Sequence, residues 1–134
     1  AYSAIQQWLF AKRLNFPGLT IENGSGLSRK ERISARQLGR LLVDAFHSPV
    51  MPEFMSSLAV VGIDGTARNR LKKTAVIGRS HLKTGSLRDV SAIAGYVLDD
   101  KNRRHAFVFV VNHPRAASAK TAMDALIKWI HGSG

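Results

Sequence analysis

The hydrophobic pattern changes along the chain, from a helical period in the first half to an extended period in the second. In the first half, Ile5, Trp8 and Leu9 recur at i, i+3 and i+4. That spacing predicts a helix over residues 3–13, because positions three and four apart share one face of a helix. The segment Leu19–Ile21, which follows a Pro-Gly turn, is a possible short strand.

A stronger helix signal begins at Ser34, whose hydroxyl can cap a helix while Gln37, three residues later, completes a capping box. The helix should run to about His47. Its apolar face is expected to be buried and consists of Leu38, Leu41, Leu42, Ala45 and Phe46. After it, Pro52 can open a short helix over residues 53–58, because proline suits the first turn of a helix.

Three extended segments follow, over residues 80–87, 90–98 and 104–112. The polar residues 99–102 between the last two are typical of a hairpin turn. The second and third segments are apolar on both faces, so helices should cover both sides of the sheet. A last amphipathic helix is predicted over about residues 115–131. The predicted fold class is therefore α/β (α+β), with an antiparallel sheet flanked by helices on both faces.

The amino-acid composition excludes several classes of protein and of functional site. Of 134 residues, 45% are hydrophobic and 22% are charged, as in ordinary globular domains. No apolar run approaches the roughly 18 residues that a membrane helix needs. The absence of cysteine excludes a disulfide scaffold, a cysteine nucleophile and a thiolate zinc site. The five histidines form no paired metal-binding pattern, so neither a metal nor a cofactor is expected.

The net charge of +11 is concentrated in the second half, where residues 68–134 carry thirteen basic and four acidic residues. Seven bases and no acid lie between Arg68 and Arg88. Such a field attracts polyanions, so one alternative is a basic nucleic-acid- or polyanion-binding module without enzymatic activity. Another is a non-enzymatic fragment that binds an anionic glycan. The tract contains no aromatic residue on which bases could stack, and nucleic acid is therefore not the expected partner.

The most specific local motif is Lys83-Thr84-Gly85, followed by Ser86, on the first of the predicted strands. A Lys-Thr-Gly triplet on a strand is one of the motifs of penicillin-recognising serine enzymes. The edge of a sheet offers unpaired backbone groups to a substrate peptide. The lysine supplies a positive charge, the threonine hydroxyl can bind a carboxylate, and the glycine leaves room for the substrate. A strand with one solvated lysine would show the same triplet.

Two further segments occur in order before this triplet: a loop, Asn23-Gly24-Ser25-Gly26-Leu27-Ser28-Arg29, and a turn, Gly62-Ile63-Asp64-Gly65-Thr66. The loop alone is equally typical of an ordinary turn. The combination resembles the C-terminal part of D-alanyl-D-alanine carboxypeptidase/endopeptidases of the penicillin-binding-protein-four type. The resemblance covers nearly the whole chain. It implies a beta-lactamase/transpeptidase-like fold, a periplasmic location, and two kinds of ligand: peptidoglycan stem peptides ending in D-Ala-D-Ala, and beta-lactams.

The resemblance also implies a role for each residue of the motif. Lys83 would contact a serine outside this chain and help proton transfer, and Thr84 would hold the terminal carboxylate of D-Ala-D-Ala. Gly85 would allow close approach, and the backbone N–H of Ser86 would supply half of the oxyanion hole. Lys83 and Ser86 are thus the candidate catalytic residues, and Thr84 and Gly85 the candidate substrate-binding residues. Carboxypeptidase and endopeptidase action both remain open.

The chain departs from the family pattern because it lacks a suitable nucleophile. The motif S-x-N does not occur, and S-x-x-K occurs once, from Ser80 to Lys83. On a strand, positions i and i+3 point to opposite faces, so Ser80 is rejected as the nucleophile. Residues 1–134 are therefore expected to be a single partial domain, the C-terminal portion of a transpeptidase-like domain. The missing N-terminal part, or self-association, should then cover an exposed strand edge near residues 104–112.

Overall fold

The computed structural model describes residues 2–132, which form a sheet with helices on both sides. The helices are α1 (Tyr2–Ala11), α2 (Ala35–Phe46), α3 (Met51–Ser56) and α4 (Lys120–Gly132). The strands are β1 (Ala59–Val60), β2 (Ser80–Leu87), β3 (Val90–Leu98) and β4 (Arg104–Asn112). Short 3₁₀ turns lie at Gly65–Ala67 and Ala116–Ala119. Within residues 2–132, no helix combines the length and the apolar character needed to cross a membrane.

The sheet is antiparallel throughout, with the strand order β1-β2-β3-β4. Its register places Thr84 opposite Ile93, and Ile93 opposite Phe109. The three long strands have the predicted bounds, and the predicted fold class is confirmed. β4 is an edge strand among the residues that the structure describes, as expected from the sequence.

Each face of the sheet packs against its own set of helices, because the side chains of each strand alternate between the faces. On one face, Leu82 and Ile93 pack with Met123 and Ile127 of α4, and all four side chains are buried. On the other face, Tyr96 packs with Leu42 of α2, Leu58 and partly buried residues of α3. The two-sided apolar character of β3 therefore did predict helices on both faces.

Helix α2 begins as predicted, but most of its apolar side is not buried. The Ser34 hydroxyl accepts a hydrogen bond from the Gln37 amide at 3.1 Å, and the Gln37 side chain accepts one from the Ser34 amide at 2.9 Å. Of the five apolar residues expected to be buried, Leu42 is buried, Phe46 is 38% exposed, and the other three are half-buried. The expectation was wrong because α2 borders an open groove in the described chain.

Three smaller differences concern short elements. The possible strand at residues 19–21 is reduced to one isolated bridge between Thr20 and Arg32. The short helix predicted over residues 53–58 begins earlier, at Met51. Strand β1 was not predicted, because two residues are too short to show a period.

Asp99 stabilises the hairpin turn between β3 and β4 through hydrogen bonds. Its buried carboxylate accepts hydrogen bonds from the amides of Lys101 and Arg103, the Arg103 guanidinium and the His105 ring, at 2.7–2.9 Å. Burial by itself would raise the pKa of Asp99. The hydrogen bonds from His105 and Arg103, with the positive charge of Arg103, outweigh burial and hold that pKa well below its usual range.

We expect the stability that Asp99 contributes to depend on pH. The pKa of Asp99 is lower in the folded state than in the unfolded state, where it is about 3.9. The contribution of Asp99 to the free energy of unfolding is therefore complete above that unfolded-state pKa, and it is lost as the pH falls toward the folded-state pKa. Asp99→Asn should therefore be destabilised relative to wild type at pH 6, and the difference should shrink steadily below about pH 4. Urea unfolding of both proteins at several pH values measures this difference. A difference that stays constant down to pH 2 contradicts the prediction.

Candidate active site

Strand β2 carries all four predicted site residues. Lys83 and Gly85 face α2, whereas the side chains of Thr84 and Ser86 point to the opposite face, as strand alternation requires. Lys83, Gly85 and Ser86 are exposed, and Thr84 is half-buried. The structure therefore brings the four residues together at one accessible stretch of strand.

The edge of β2 is open along this stretch. β1 pairs only with His81 and Leu82, so no strand of the described chain pairs with the edge beyond them. The Ser80 carbonyl accepts a hydrogen bond from the Val61 amide on the β1 side, at 3.0 Å. In an antiparallel sheet the backbone direction alternates, so the N–H and C=O groups of Thr84 and Ser86 point to the same open side. A peptide could add there as a further strand.

The Lys83 side chain folds over this edge. Its ammonium group donates a hydrogen bond to the Thr84 carbonyl at 2.7 Å. Among the described residues, no carboxylate forms an ion pair with it. Lys83 therefore places a positive charge directly beside the unpaired backbone groups of this edge.

An apolar groove of about 690 Å³ adjoins Lys83 and Gly85. It lies between the sheet and the helices α1, α2 and α3, and an ion pair between Lys12 and Asp44, at 3.3 Å, belongs to its lining. Apolar lining residues include Trp8, Leu38, Leu41, Phe54, Ala92, Ala94, Val108 and Val110. The predicted core side of α2 thus faces an open groove beside the motif.

Gly85 is not required by the packing of the described chain. Its backbone does not have a positive φ, and a Cβ built there would meet only the Ala92 Cβ, at an ordinary 3.7 Å. The fold therefore has room for a side chain at a position where the sequence has none. The absence of a side chain is explained if something outside the described residues approaches this strand.

Sequence reasoning missed one polar residue of the site, Thr66. The turn after β1 folds back along the edge of β2 and brings the Thr66 hydroxyl to 2.8 Å from the Thr84 hydroxyl. Gly65 makes this possible, because its φ is +51° and a Cβ there would lie 2.8 Å from the Ala59 Cβ. The Gly-x-Asp-Gly-Thr turn was a signal in the sequence, but nothing there showed which residue it would face.

Ser80 is unsuited to nucleophilic attack, as the strand argument predicted. Its side chain is fully buried in β2, and its hydroxyl has no hydrogen-bond partner among the described residues. Ser25 lies in a turn in which its amide donates to Asn23 and its hydroxyl accepts from the Leu27 amide. The ordinary-turn interpretation of that loop therefore accounts for the contacts of Ser25.

His81 lies on the same face as Lys83 but is not among the residues that line the groove. Burial lowers its pKa, the positive charge of Arg104 lowers it further, and Asp64 acts in the opposite direction. A neutral imidazole is therefore favoured at neutral pH.

The basic tract between Arg68 and Arg88 is not one uniform surface. Arg70 is buried and bonds Asp124 of α4, with its Nε atom 2.8 Å from the carboxylate. Arg79 donates to the Asp99 carbonyl and to the Asn102 side chain, both at 2.8 Å. Two of the seven bases thus stabilise loops within the fold.

Within residues 2–132, no group of three acidic or histidine side chains could hold a metal ion.

Comparison with known proteins identifies the family of this chain. Residues 1–132 match the family described as D-Ala-D-Ala carboxypeptidase 3 (S13). The chain is 32% identical over 127 residues to a D-alanyl-D-alanine carboxypeptidase from Actinomadura sp. (strain R39), covering 91% of this chain and 23% of that protein. It is 30% identical over 140 residues to carboxypeptidase DacB of Mycolicibacterium smegmatis, covering 100% of this chain and 30% of that protein.

Among solved structures, the fold resembles penicillin binding protein 4 (dacB) from Haemophilus influenzae. The TM-score is 0.78 at 22% identity, and the match covers 94% of this chain and 31% of the other. The same protein is also known in complex with a beta-lactam. At this identity the likeness shows a shared fold. The chain spans less than a third of the length of these three proteins.

Proposed function

Because this chain belongs to the D-Ala-D-Ala carboxypeptidase 3 (S13) family, we propose that it forms the substrate-binding part of a serine-type D-alanyl-D-alanine carboxypeptidase/endopeptidase. The observation that carries the proposal is the open edge of β2 at Thr84 and Ser86, with the Lys83 ammonium group folded over it. The substrate is a peptidoglycan stem peptide that ends in D-Ala-D-Ala, and beta-lactams occupy the same edge.

We assign to the four residues the roles that the family resemblance implies, and their positions on the open strand edge are compatible with these roles. The peptide lies along the open edge, where the Ser86 N–H donates to the oxygen of the scissile carbonyl as negative charge develops on it. Such a donor is typically worth about 2.7–4 kcal/mol at the transition state. Thr84 donates to the terminal carboxylate, and Gly85 lets the substrate pass close to the strand. Lys83 stabilises negative charge and assists proton transfer.

The nucleophile comes from outside this chain. A serine of the parent protein attacks the penultimate D-Ala carbonyl and forms a serine ester, the terminal D-Ala or the cross-linked peptide leaves, and water then hydrolyses the ester. The structural element that carries this serine packs into the apolar groove beside Lys83. Residues 1–134 are then the C-terminal part of the domain, and either the upstream part of the parent or a second copy covers the edge of β4.

The proposed location is the periplasm of a bacterial cell. Peptidoglycan lies in the cell envelope, so an enzyme that hydrolyses its stem peptides has to be exported.

The strongly basic charge of +11 does not by itself require a nucleic-acid partner, since part of the basic tract is used inside the fold.

Replacement of Lys83 in the complete protein tests the proposed function. Lys83→Ala should lower the rate of D-Ala release from a D-Ala-D-Ala peptide by about 10²- to 10⁴-fold, the range that proton transfer by a positioned group supplies. Release of D-Ala is measured by a coupled amino-acid oxidase assay. Lys101→Ala is the matched control, because Lys101 is an exposed lysine of the hairpin turn, which lies beyond the start of β2 and away from Lys83. Equal activity of the two variants argues against the proposal.

A further inference from the structure

The hydroxyl groups of Thr66 and Thr84 form an isolated pair at the open edge of β2. They lie 2.8 Å apart, and either oxygen could be the donor. Among the described residues, neither hydroxyl has another hydrogen-bond partner. Two hydroxyls carry two protons, and one proton is used between them. The pair therefore holds one O–H that is free to donate to a third group.

The chemistry of that third group decides which threonine keeps the free proton. An ionised carboxylate accepts hydrogen bonds and donates none. When a carboxylate approaches Thr84, the Thr84 proton must point to it, and the Thr84 oxygen can then accept from Thr66. A hydroxyl that accepts one hydrogen bond becomes a stronger donor in the next, because neighbouring hydrogen bonds polarise one another.

We infer that Thr66 is a positioning residue, whose hydroxyl donates to Thr84 so that the Thr84 O–H points at the terminal carboxylate of the substrate. The inference rests on the proposed function. It adds a source of ligand specificity. By placing the Thr66 hydroxyl beside Thr84, the Gly62–Thr66 turn makes the enzyme favour ligands that carry a free carboxylate. Thr66 acts through Thr84 and does not touch the reacting atoms.

The test uses the complete protein and two forms of one ligand, a penicillin with its free carboxylate and the methyl ester of that penicillin. The measurement is the second-order rate constant of acylation for each form. Thr66→Val has nearly the same shape but no hydroxyl. It should reduce the preference for the acid over the ester by about three- to tenfold, as expected for one net hydrogen bond. Thr66→Ser keeps the hydroxyl and should restore the preference.

A second pair of variants separates this inference from the proposed function. Thr84→Val should also reduce the preference, and Thr66→Val should have no further effect when Thr84 is already Val, since the two residues act as one unit. If Thr84→Val leaves the preference unchanged, the proposed use of β2 is wrong. If Thr84→Val reduces it while Thr66→Val matches wild type, the inference is overturned and the proposed function stands.

Two further outcomes also count against Thr66 as a positioning residue. A loss that persists in the Thr84→Val background shows that Thr66 contacts the ligand directly. A loss of acylation that is equal for acid and ester shows a general structural role, because a disturbed fold does not distinguish the two ligands.

Discussion

The 134-residue chain by itself should carry no covalent label after incubation with a fluorescent penicillin. Acylation needs a serine beside a base, and the sequence has no S-x-N motif and a single S-x-x-K match. In that match, Ser80 is fully buried and faces away from Lys83, so it cannot attack a ligand on the edge of β2. Denaturing electrophoresis of the labelled chain measures the result, with a labelled penicillin-binding protein as the positive control.

Complementation extends the same experiment. When the upstream part of the parent is added, a label should form on that part, and Lys83→Ala in this chain should weaken it. Stoichiometric labelling of the 134-residue chain would show that the nucleophile lies within this chain and contradict the prediction. Ser80→Ala would then identify whether Ser80 is the residue labelled.

The long elements of the fold could be predicted from the sequence because each has a period that packing enforces. Residues 90–98 are apolar on both faces, and the structure buries both faces against different helices. The capping box at Ser34 and Gln37 likewise fixed the start of α2 to the residue. In these cases local sequence and tertiary packing favour the same structure.

Burial along α2 could not be predicted, because periodicity shows which face is apolar but not what covers it. Leu38 and Leu41 lie on the expected face, yet that face lines a groove of about 690 Å³. β1 was missed for another reason, since its two residues are held by pairing with β2 and carry no signal of their own.

The candidate site shows the same division. The motif Lys83-Thr84-Gly85 could be found in the sequence, because its residue types are those that the chemistry needs. The open edge beside it depends on where β1 ends, after pairing with Leu82 and His81. The contact between Thr66 and Thr84 spans 18 positions and depends on the path of a turn. Neither feature has a local period, so only the three-dimensional structure reveals them.

Gly95 should be the glycine least tolerant of substitution in the sheet. Its φ is +151°, which side chains rarely adopt, and a Cβ there would lie 2.1 Å from the His81 carbonyl oxygen and 3.0 Å from the Leu82 Cα. Gly95→Ala therefore has to push β2 away from β3. Backbone strain costs about 1–3 kcal/mol and overpacking about 1–3 kcal/mol, so we expect a loss of about 3 kcal/mol or more.

Gly85→Ala is the matched control, because Gly85 lies on the neighbouring strand, has no positive φ and has room for a Cβ. Its stability in urea unfolding should equal that of wild type or slightly exceed it, since alanine restricts the unfolded chain more than glycine does. The two variants should therefore differ in kind: Gly95→Ala unfolds at lower urea, whereas Gly85→Ala stays folded and, in the complete protein, acylates more slowly. Equal midpoints for the two variants would contradict the backbone argument at Gly95. Gly95 lies opposite Leu82, which directly precedes Lys83, so a displacement of β2 at Gly95 would also move the start of the candidate site.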